Sequence, residues 1–402
     1  MTLDISHVKK NPIKYATNRV FYIDNIRIYL TILVILHHLA ICYGGSGDWP
    51  IHESDFYTID MSTVIILTLF NIVNQSYFMA FFFLLAGYFT PRSFEKKGTR
   101  IYVKDRFIRL GIPLVVYIIF VSPLVALLLH NYAYRGSTPY ISLLDVWYNR
   151  IEEMTIGIDH LWFLLALLIF VLTYVLYRLI WDRYSLTYSQ LFFSQKFPRN
   201  RVIVSSIGII ALITYIMRGF FLIGETIAFN FQLGHFTHYM FFFWVGIVAY
   251  HGKWFDHLSD TQAKQWTTVA GVSIPLLVVL MVGLIDFTSS DPFGPFLGGF
   301  TYQSLVYSIW ETIALVSISI TVLHLFQKKF NYHNPFLKDL ATSTYTAYII
   351  HALIIISFTI ILLPVDLPAM AKFIIIGGIG VPSIFLISYT IRKVPFTAKI
   401  LG

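Results

Sequence analysis

The sequence predicts an all-α integral membrane protein, a polytopic bundle of about ten transmembrane helices. Of its 402 residues, 57% are hydrophobic and only 12% are charged. Ordinary soluble domains carry roughly 25% charged residues, so half that share argues against a soluble fold. The apolar residues also gather in long runs, most of which reach the roughly 20 residues needed to cross the hydrocarbon core.

Ten apolar runs predict the spanning helices. They lie at 26–43, 62–89, 108–130, 160–180, 203–223, 235–251, 267–286, 304–325, 342–363 and 369–391. The sixth run is the shortest, and the loops between runs are too short for a second folded domain. We therefore expect one membrane domain over 1–402, with a cytoplasmic segment at 1–25, a transmembrane core at 26–391 and a cytoplasmic tail at 392–402.

The basic residues indicate how the helices are oriented. With the N-terminus inside, all but four of the 29 Lys and Arg residues fall in inner segments. Because cytoplasmic loops collect Lys and Arg, this asymmetry predicts that both termini face the cytoplasm. The same rule accounts for the net charge of +8 without a nucleic-acid partner. The four outer exceptions are Arg135, Arg150, Arg218 and Lys372.

The first predicted helix carries an arginine and a histidine pair. Arg27 and His38 are eleven residues apart, and eleven steps of about 100° return nearly to the same helix face. They lie roughly 16 Å apart along the axis, at about 1.5 Å per residue. A boundary arginine and a packed histidine would explain them structurally, whereas a base near the bilayer centre would indicate function. The adjacent His37 lies about 100° around the helix and is interpreted as packing.

A basic segment, KKGTRIYVKDRFIRL, follows the second span at 96–110. Arg106 and Arg109 are three residues apart where the next helix begins, so both can contact one polyanion. Lys104 lies just before them. Anchoring to anionic lipid is the simpler interpretation of such a segment. A phosphate-bearing substrate in the cytoplasm would be bound by the same chemistry.

Four further ionisable residues fall inside or at the ends of the predicted spans. Glu311 and Arg218 lie at similar depth, where they could simply neutralise each other. His351 is more readily explained by hydrogen-bonded packing than by catalysis. His160 lies at an outer helix end.

Most familiar catalytic motifs are absent from the sequence. His235 and His238 have a spacing compatible with a metal ion, but no third ligand is evident, so we predict no metal site. No nucleophile elbow, Walker loop, Cys-x-x-Cys pair or dinucleotide fingerprint occurs. An embedded base with a cytoplasmic cationic site suits acyl transfer from a phosphate-bearing donor to a hydroxyl acceptor. It equally suits a proton-coupled transporter or flippase for a glycan or small metabolite, and the residues alone leave both open.

Six stretches in order along the chain resemble the acyltransferase-3 family of membrane acyltransferases, over about residues 20–391. They are FYIDNIRIYLTILVILHH, FFFLLAGYFTPRSF, RFIRLGIP, HLWFLLAL, HFTHYMFFFWVGI and TYTAYIIHALII. The Arg-x10-His motif of the family corresponds to Arg27 and His38, and its Arg-x-x-Arg element to Arg106 and Arg109. YIDNIR, AGYF, RLGIP and HLWFLL are most similar to the glucan succinyltransferase group within the family.

The resemblance implies an O-acyltransferase, with a bacterial inner membrane as its expected location. It would transfer acetyl, succinyl or a related group to a carbohydrate or another envelope hydroxyl. Acyl-CoA would be the donor, as a co-substrate rather than a permanently bound cofactor. The expected partners are therefore acyl-CoA, the hydroxyl acceptor and the lipid bilayer, and no oligomeric state is predicted.

The resemblance also implies roles for individual residues. His38 would be the general base or an acyl relay, and Arg27 would support it or bind the donor. Glu311 is a weaker third catalytic candidate. The remaining candidates are Arg106, Arg109 and Lys104 for the CoA phosphates, and His351, Arg218 and His160 without an assigned role.

Overall fold

The computed structural model describes residues 20–134, 136, 138–153, 157–183, 196–286 and 288–401. No residue within these ranges belongs to a β-strand, and their β-pairing is limited to an isolated bridge between Ile227 and Phe231. The predicted all-α class is therefore confirmed. Most of the predicted cytoplasmic segment at 1–25 lies outside the described residues, as does position 402 of the tail, so both remain predictions.

Fourteen α-helices, labelled in chain order, make up most of the described part of the chain. They are α1 (Phe21–Cys42), α2 (Met61–Arg106), α3 (Ile112–Val116), α4 (Ser122–Leu128), α5 (Leu143–Glu152), α6 (Trp162–Arg183), α7 (Asn200–Phe220), α8 (Leu233–Gly252), α9 (Asp260–Leu284), α10 (Gly294–Leu297), α11 (Tyr302–Lys329), α12 (Pro335–Leu362), α13 (Ala369–Lys393) and α14 (Pro395–Leu401). Wider π-helical turns follow α2, α3 and α4 at Phe107–Gly111, Tyr117–Val121 and Leu129–Ala133. Single 3₁₀ turns occur at Glu53–Asp55, Asp159–Leu161, Ala228–Asn230 and Trp254–His257.

Eight helical segments of the described chain are long and apolar enough to cross a membrane. The difference from ten predicted spans has two sources. The second and third predicted spans lie within one helical path, Met61–Ala133, which Gly98 interrupts with a left-handed φ of 71°. The sixth predicted span corresponds to α8, whose His and Tyr residues keep it out of the eight. The polytopic architecture is therefore confirmed, while the count of ten and the orientation remain predictions.

Helix α1 lies at the centre of the bundle. It packs against α2, α11, α12 and α13. Leu30 belongs to an apolar cluster shared with α2, α8 and α11, whereas Leu39 belongs to a second cluster shared with α12 and α13. A helix that is apolar on every side is a buried helix. In both α1 and α11, 67% of the most apolar stretch is buried, more than in any other candidate span of the described chain.

Helix α2 begins at an acidic cap. Asp60 Oδ1 accepts a hydrogen bond from the Thr63 backbone N–H at 2.9 Å, which satisfies a donor that every helix start leaves unpaired. Hydrogen bonds from Ser62 and Thr63 lower the pKa of the Asp60 carboxyl to about 2. The cap therefore stays charged at neutral pH, where it favours the N-terminal end of the helix dipole.

The loop at 43–60, between α1 and α2, is held in place by a buried ion pair. Lys372 Nζ of α13 lies 2.6 Å from Glu53 Oε1, and both side chains are almost fully buried. Lys372 was an exception to the predicted charge asymmetry, and its pairing with Glu53 removes the cost of an isolated buried cation. Through Trp49 the same loop contacts His38 of α1. The loop therefore positions an aromatic ring against the predicted base.

Candidate active site

Two histidines meet where α1 packs against α12. His38 Nδ1 lies 2.8 Å from His351 Nε2, across 313 residues of sequence. Their rings lie nearly parallel, with centroids 5.0 Å apart. His351 is fully buried, whereas His38 is partly exposed. Tertiary packing therefore makes His351 a direct partner of the predicted base.

The hydrogen bonds assign the protons of this pair in its neutral form. His351 Nδ1 lies 2.6 Å from the backbone oxygen of Tyr348, and because a carbonyl only accepts, this Nδ1 must carry a proton. His351 Nε2 is then an acceptor, so His38 Nδ1 donates to it. The lone pair of His38 is left on Nε2. Two hydrogen bonds in series, ending on the α12 backbone, thus fix the orientation of the His38 ring.

A third histidine and two aromatic residues surround the pair. Trp49 stacks on His38 with ring centroids 4.1 Å apart. The ring of His160 lies 4.4 Å from that of His351, and Tyr348 donates its hydroxyl hydrogen to the His160 carbonyl. The structure thus brings His160, predicted only to lie at a helix end, into contact with the pair. We call His38, His160 and His351 the histidine cluster.

His38 lies near the C-terminal end of α1, and its depth in the bilayer remains a prediction. The predicted span starts at 26, but α1 runs from Phe21 to Cys42. At about 1.5 Å per residue, His38 is roughly 6 Å from the C-terminal end of the helix. His37 faces a different neighbour, with its ring 5.0 Å from that of Phe78, as expected for a packing residue.

A second buried polar cluster joins α7, α8 and α11. Arg218 Nη2 lies 2.5 Å from Glu311 Oε2, and the two side chains are 0% and 1% exposed. Arg218 Nε also donates to the Gly234 carbonyl at 3.0 Å. His235 Nδ1 lies 3.4 Å from Glu311 Oε1, and His238 Nδ1 lies 3.7 Å from Oε2. We call Arg218, Glu311, His235 and His238 the ion-pair cluster.

The ion-pair cluster bears on two of the predictions, a catalytic role for Glu311 and the absence of a metal site. No hydrogen bond or ion pair among the described residues links Glu311 with His38 or His351, and its carboxylate already neutralises a buried cation. The geometry therefore does not favour a catalytic Glu311. Glu311 is also a third group near His235 and His238, one that spacing alone could not reveal. Even so, no three His, Cys, Asp or Glu residues of the described chain are placed to hold a metal ion.

Arg27 lies far from His38 along the same helix. Its Nη1 is 3.8 Å from Asp24 Oδ1, and its side chain is 40% exposed. The eleven-residue interval corresponds to roughly 16 Å of helix, so Arg27 cannot hydrogen-bond to His38 directly. A role for Arg27 in the reaction therefore remains a prediction.

The predicted arginine pair shares a carboxylate within the protein. Asp105 accepts hydrogen bonds from Arg106 Nη2 at 2.8 Å and from Arg109 Nε at 3.2 Å. Lys97 Nζ approaches the same carboxylate to 2.8 Å. Three cations therefore share one anion, and the group keeps a net positive charge. Lys104 is exposed beside it.

Helix α12 connects this cationic group with the histidine cluster. Tyr345 donates its hydroxyl hydrogen to the Arg109 carbonyl. His351 follows Tyr345 by six residues, which is about 9 Å along the axis at 1.5 Å per residue. The residue of α12 that contacts the Arg109 backbone is therefore less than two helical turns from His351.

Three residues of these sites were missed by sequence reasoning. The spacing of Tyr348 and His351, three residues apart, places them on one helix face and could have indicated their contact. Asp105 stands alone among basic residues and could have been recognised as their counterion. Trp49 has no such local signal, because a loop residue reaches His38 only through the tertiary fold.

Comparison with known proteins assigns the family. A family model described as an acyltransferase domain, that of acyltransferase family 3, matches residues 20–393. The chain is also 31% identical over 160 residues to proteins named "Glucans biosynthesis protein C" from Escherichia coli strains K12, 536 and HS. Each of these matches covers 40% of this chain and only 38% of the relative. No solved structure matches the chain. Because the family model covers nearly the whole sequence, the protein belongs to the acyltransferase-3 family.

Proposed function

We propose that the protein is a membrane-bound O-acyltransferase that moves an acyl group from acyl-CoA to a carbohydrate hydroxyl, with His38 as the general base. The observation that carries this proposal is the hydrogen-bond series from His38 through His351 to the Tyr348 carbonyl. It leaves the Nε2 lone pair of a partly exposed imidazole for a substrate proton. A general base needs this combination of correct tautomer and access to the acceptor.

The donor is expected to bind at the cationic group around Asp105. This group lies a few residues after Gly98 in the helical path Met61–Ala133. Arg106 and Arg109 present planar guanidinium groups that match phosphate oxygens bidentately, and Lys104 adds an exposed ammonium. Asp105 occupies two of these donors, so a bound phosphate would compete with it. The short interval along α12 supports delivery of an acyl thioester from this group to the histidine cluster.

The proposed reaction is a direct acyl transfer. His38 Nε2 takes the proton of the acceptor hydroxyl while the hydroxyl oxygen attacks the thioester carbonyl carbon. The new C–O bond forms, and the C–S bond then breaks with its electron pair leaving on sulfur. The imidazolium of His38 returns the proton to the departing thiolate. The products are an ester and free CoA, and His38 is neutral again.

The relatives support a carbohydrate acceptor. Proteins named for glucan biosynthesis share 31% identity with part of this chain, which supports a glucan or another envelope carbohydrate as acceptor. Acetyl and succinyl groups are the acyl groups to test first. An inner bacterial membrane, with CoA in the cytoplasm, is the location consistent with this chemistry.

A donor-turnover assay tests the proposal. Purified protein in nanodiscs is incubated with radiolabelled acetyl-CoA or succinyl-CoA and an envelope glycan extract, and CoA release and label on glycan are measured. We expect His38→Ala to abolish transfer, because general base catalysis contributes about 10²–10⁴-fold. His257→Ala, at an exposed histidine, is the matched control and should retain wild-type activity.

Other outcomes would contradict the proposal in distinct ways. Full transfer by His38→Ala would remove His38 from the mechanism. Glycan flux across the membrane of a proteoliposome, without ester formation, would favour the transporter that the sequence left open.

A further inference from the structure

A pocket opens in the loop at 43–60, next to the C-terminal end of α1. Its volume is about 550 Å³, within the roughly 300–1,000 Å³ of small-molecule sites. Gly44, in its wall, is the second residue after Cys42, with which α1 ends. None of the residues assigned to the reaction lines it. Its wall includes Gly44, Ser54, Asp55, Phe56, Tyr57 and Thr58, and we call it the loop pocket.

The lining of the loop pocket combines a carboxylate, a hydroxyl and an aromatic face. Asp55 is exposed, and its Oδ2 accepts a hydrogen bond from Tyr134 at 2.6 Å. A carboxylate has about four acceptor sites, so others are left for a ligand. Tyr57 is 50% exposed, and Thr58 is exposed beside it. Sugars match such a lining, because they present hydroxyl donors at their rims and apolar C–H faces that stack on aromatic rings.

A cationic ligand would also suit a pocket with a carboxylate beside aromatic rings, but the ring of Tyr57 already contacts a lysine of the protein. Lys372 Nζ lies 5.1 Å from the centroid of the Tyr57 ring. The attraction of this ring for a positive charge is therefore already used by the protein. A neutral polyol gains more from the remaining surface than a second cation would.

The loop pocket is preorganised. Glu53 lies in the same 3₁₀ turn as Asp55, and its buried ion pair with Lys372 at 2.6 Å fixes that turn against α13. The Phe56 ring packs 5.1 Å from that of Tyr134. A wall that is ordered before binding costs less entropy when a ligand arrives.

Trp49 adds a second observation from the same loop. Its ring stacks on His38, and its Nε1 is buried without a hydrogen-bond partner among the described residues. Buried indole N–H groups usually have a partner. A hydroxyl brought to His38 would supply one.

We infer that the loop pocket is the acceptor subsite, which binds a neutral sugar unit and directs a neighbouring hydroxyl towards His38 and Trp49. This inference rests on the proposed function, since it names the site from which the carbohydrate acceptor is presented.

The test measures sugar binding separately from acyl transfer. Saturation-transfer NMR with maltotetraose and cellotetraose is recorded for the full-length protein in nanodiscs, without CoA. We expect Tyr57→Ala and Asp55→Ala each to raise Kd about tenfold, the effect of losing one stacking surface or one hydrogen bond to a charged group. Thr58→Trp, which fills the pocket, should abolish binding. Tyr148→Ala and Asp48→Ala, at exposed positions outside the pocket, should bind as the wild type does.

The outcomes separate this inference from the proposed function. If the wild type binds sugar and the pocket variants lose it, the subsite stands, even where His38→Ala and the wild type are equally inactive in transfer. Equal sugar binding by wild type and pocket variants, or no binding of either oligosaccharide by wild type, would overturn it. Displacement of the sugar by millimolar tetramethylammonium would reassign the pocket to a cation.

Discussion

The histidine cluster and the ion-pair cluster are both built from helices of the bundle core, yet they differ in charge and in access. His38 and His351 contact each other and a backbone carbonyl, and His38 is partly exposed. Arg218 and Glu311 form a salt bridge in which both side chains are at most 1% exposed. The histidine cluster carries no ion pair within the described part of the chain and includes a partly exposed residue. The ion-pair cluster contains two opposite charges that neutralise each other and are buried.

Structural and catalytic polar groups have opposite requirements inside a membrane protein. A buried charge is tolerated when a group of opposite charge lies beside it, which favours a closed site. A base has to keep one lone pair free for a substrate, which favours a neutral and accessible group. We therefore expect the ion-pair cluster to determine stability and the histidine cluster to determine rate.

We expect the greatest change, a loss of folding stability, when one partner of the ion-pair cluster is removed. Glu311→Ala leaves Arg218 charged and unpaired in the core, which should cost about 3–5 kcal/mol of folding free energy. The apparent melting temperature in nanodiscs should fall steeply, with low yield. Glu95→Ala is the matched control, because Glu95 is 45% exposed at its 3.8 Å contact with Arg178.

A double variant sharpens this prediction. Arg218→Met combined with Glu311→Leu removes both charges and should recover most of the lost stability, since apolar replacements of a buried pair are often tolerated. If Glu311→Ala alone were as stable as the wild type, the Arg218–Glu311 pair would not stabilise the fold, and the two clusters would not differ in the way described.

The next effect is on the histidine cluster. His351→Ala removes the acceptor that orients His38 Nδ1, so kcat should fall about 100-fold or more while acceptor KM stays nearly constant. His351→Gln, whose amide oxygen can accept the same hydrogen bond, should recover part of the rate. If both variants lose melting temperature to the same extent and His351→Gln recovers none of the rate, His351 serves only to pack the helices.

A smaller effect is expected at the shared carboxylate near the start of the helical path. Arg106→Ala with Arg109→Ala should raise KM for acyl-CoA about tenfold or more, the effect of losing charge-assisted hydrogen bonds to phosphate. Asp105→Asn should lower it, because it removes the internal competitor. Arg199→Ala with Arg201→Ala is the control at an exposed pair. Equal changes in the two double variants would mean that Arg106 and Arg109 only anchor the segment to lipid.

The smallest effect is expected for a single hydroxyl. Tyr348→Phe removes the hydrogen bond to the His160 carbonyl, which is worth about 1 kcal/mol, so kcat should fall up to about tenfold. Tyr239→Phe, which loses a hydrogen bond from Gln75 outside the histidine cluster, should leave kcat unchanged. A larger effect of Tyr239→Phe on kcat would show that rate is not confined to the histidine cluster.

Several features of the protein could be predicted from its sequence because they depend on local or additive properties. The helical class and the presence of several membrane-spanning helices follow from runs of apolar residues, since apolar length determines what can cross a bilayer. The relative placement of Arg27 and His38 follows from helix periodicity. The family motifs drew attention to Arg106, Arg109 and His351, although they assigned His351 no partner.

Local patterns in the chain therefore predict an all-α membrane protein with a histidine on its first helix and a cationic segment at the start of its third predicted span. Which of these groups come into contact depends on how the helices pack. His351 reaches His38 across 313 residues, and Arg218 reaches Glu311 across 93. Contacts between distant residues depend on how whole helices pack. Helix packing sums many individually small interactions, so it leaves no local pattern in the chain from which one such contact could be predicted. Whether a polar residue becomes part of the histidine cluster or of the ion-pair cluster is therefore determined by the folded bundle.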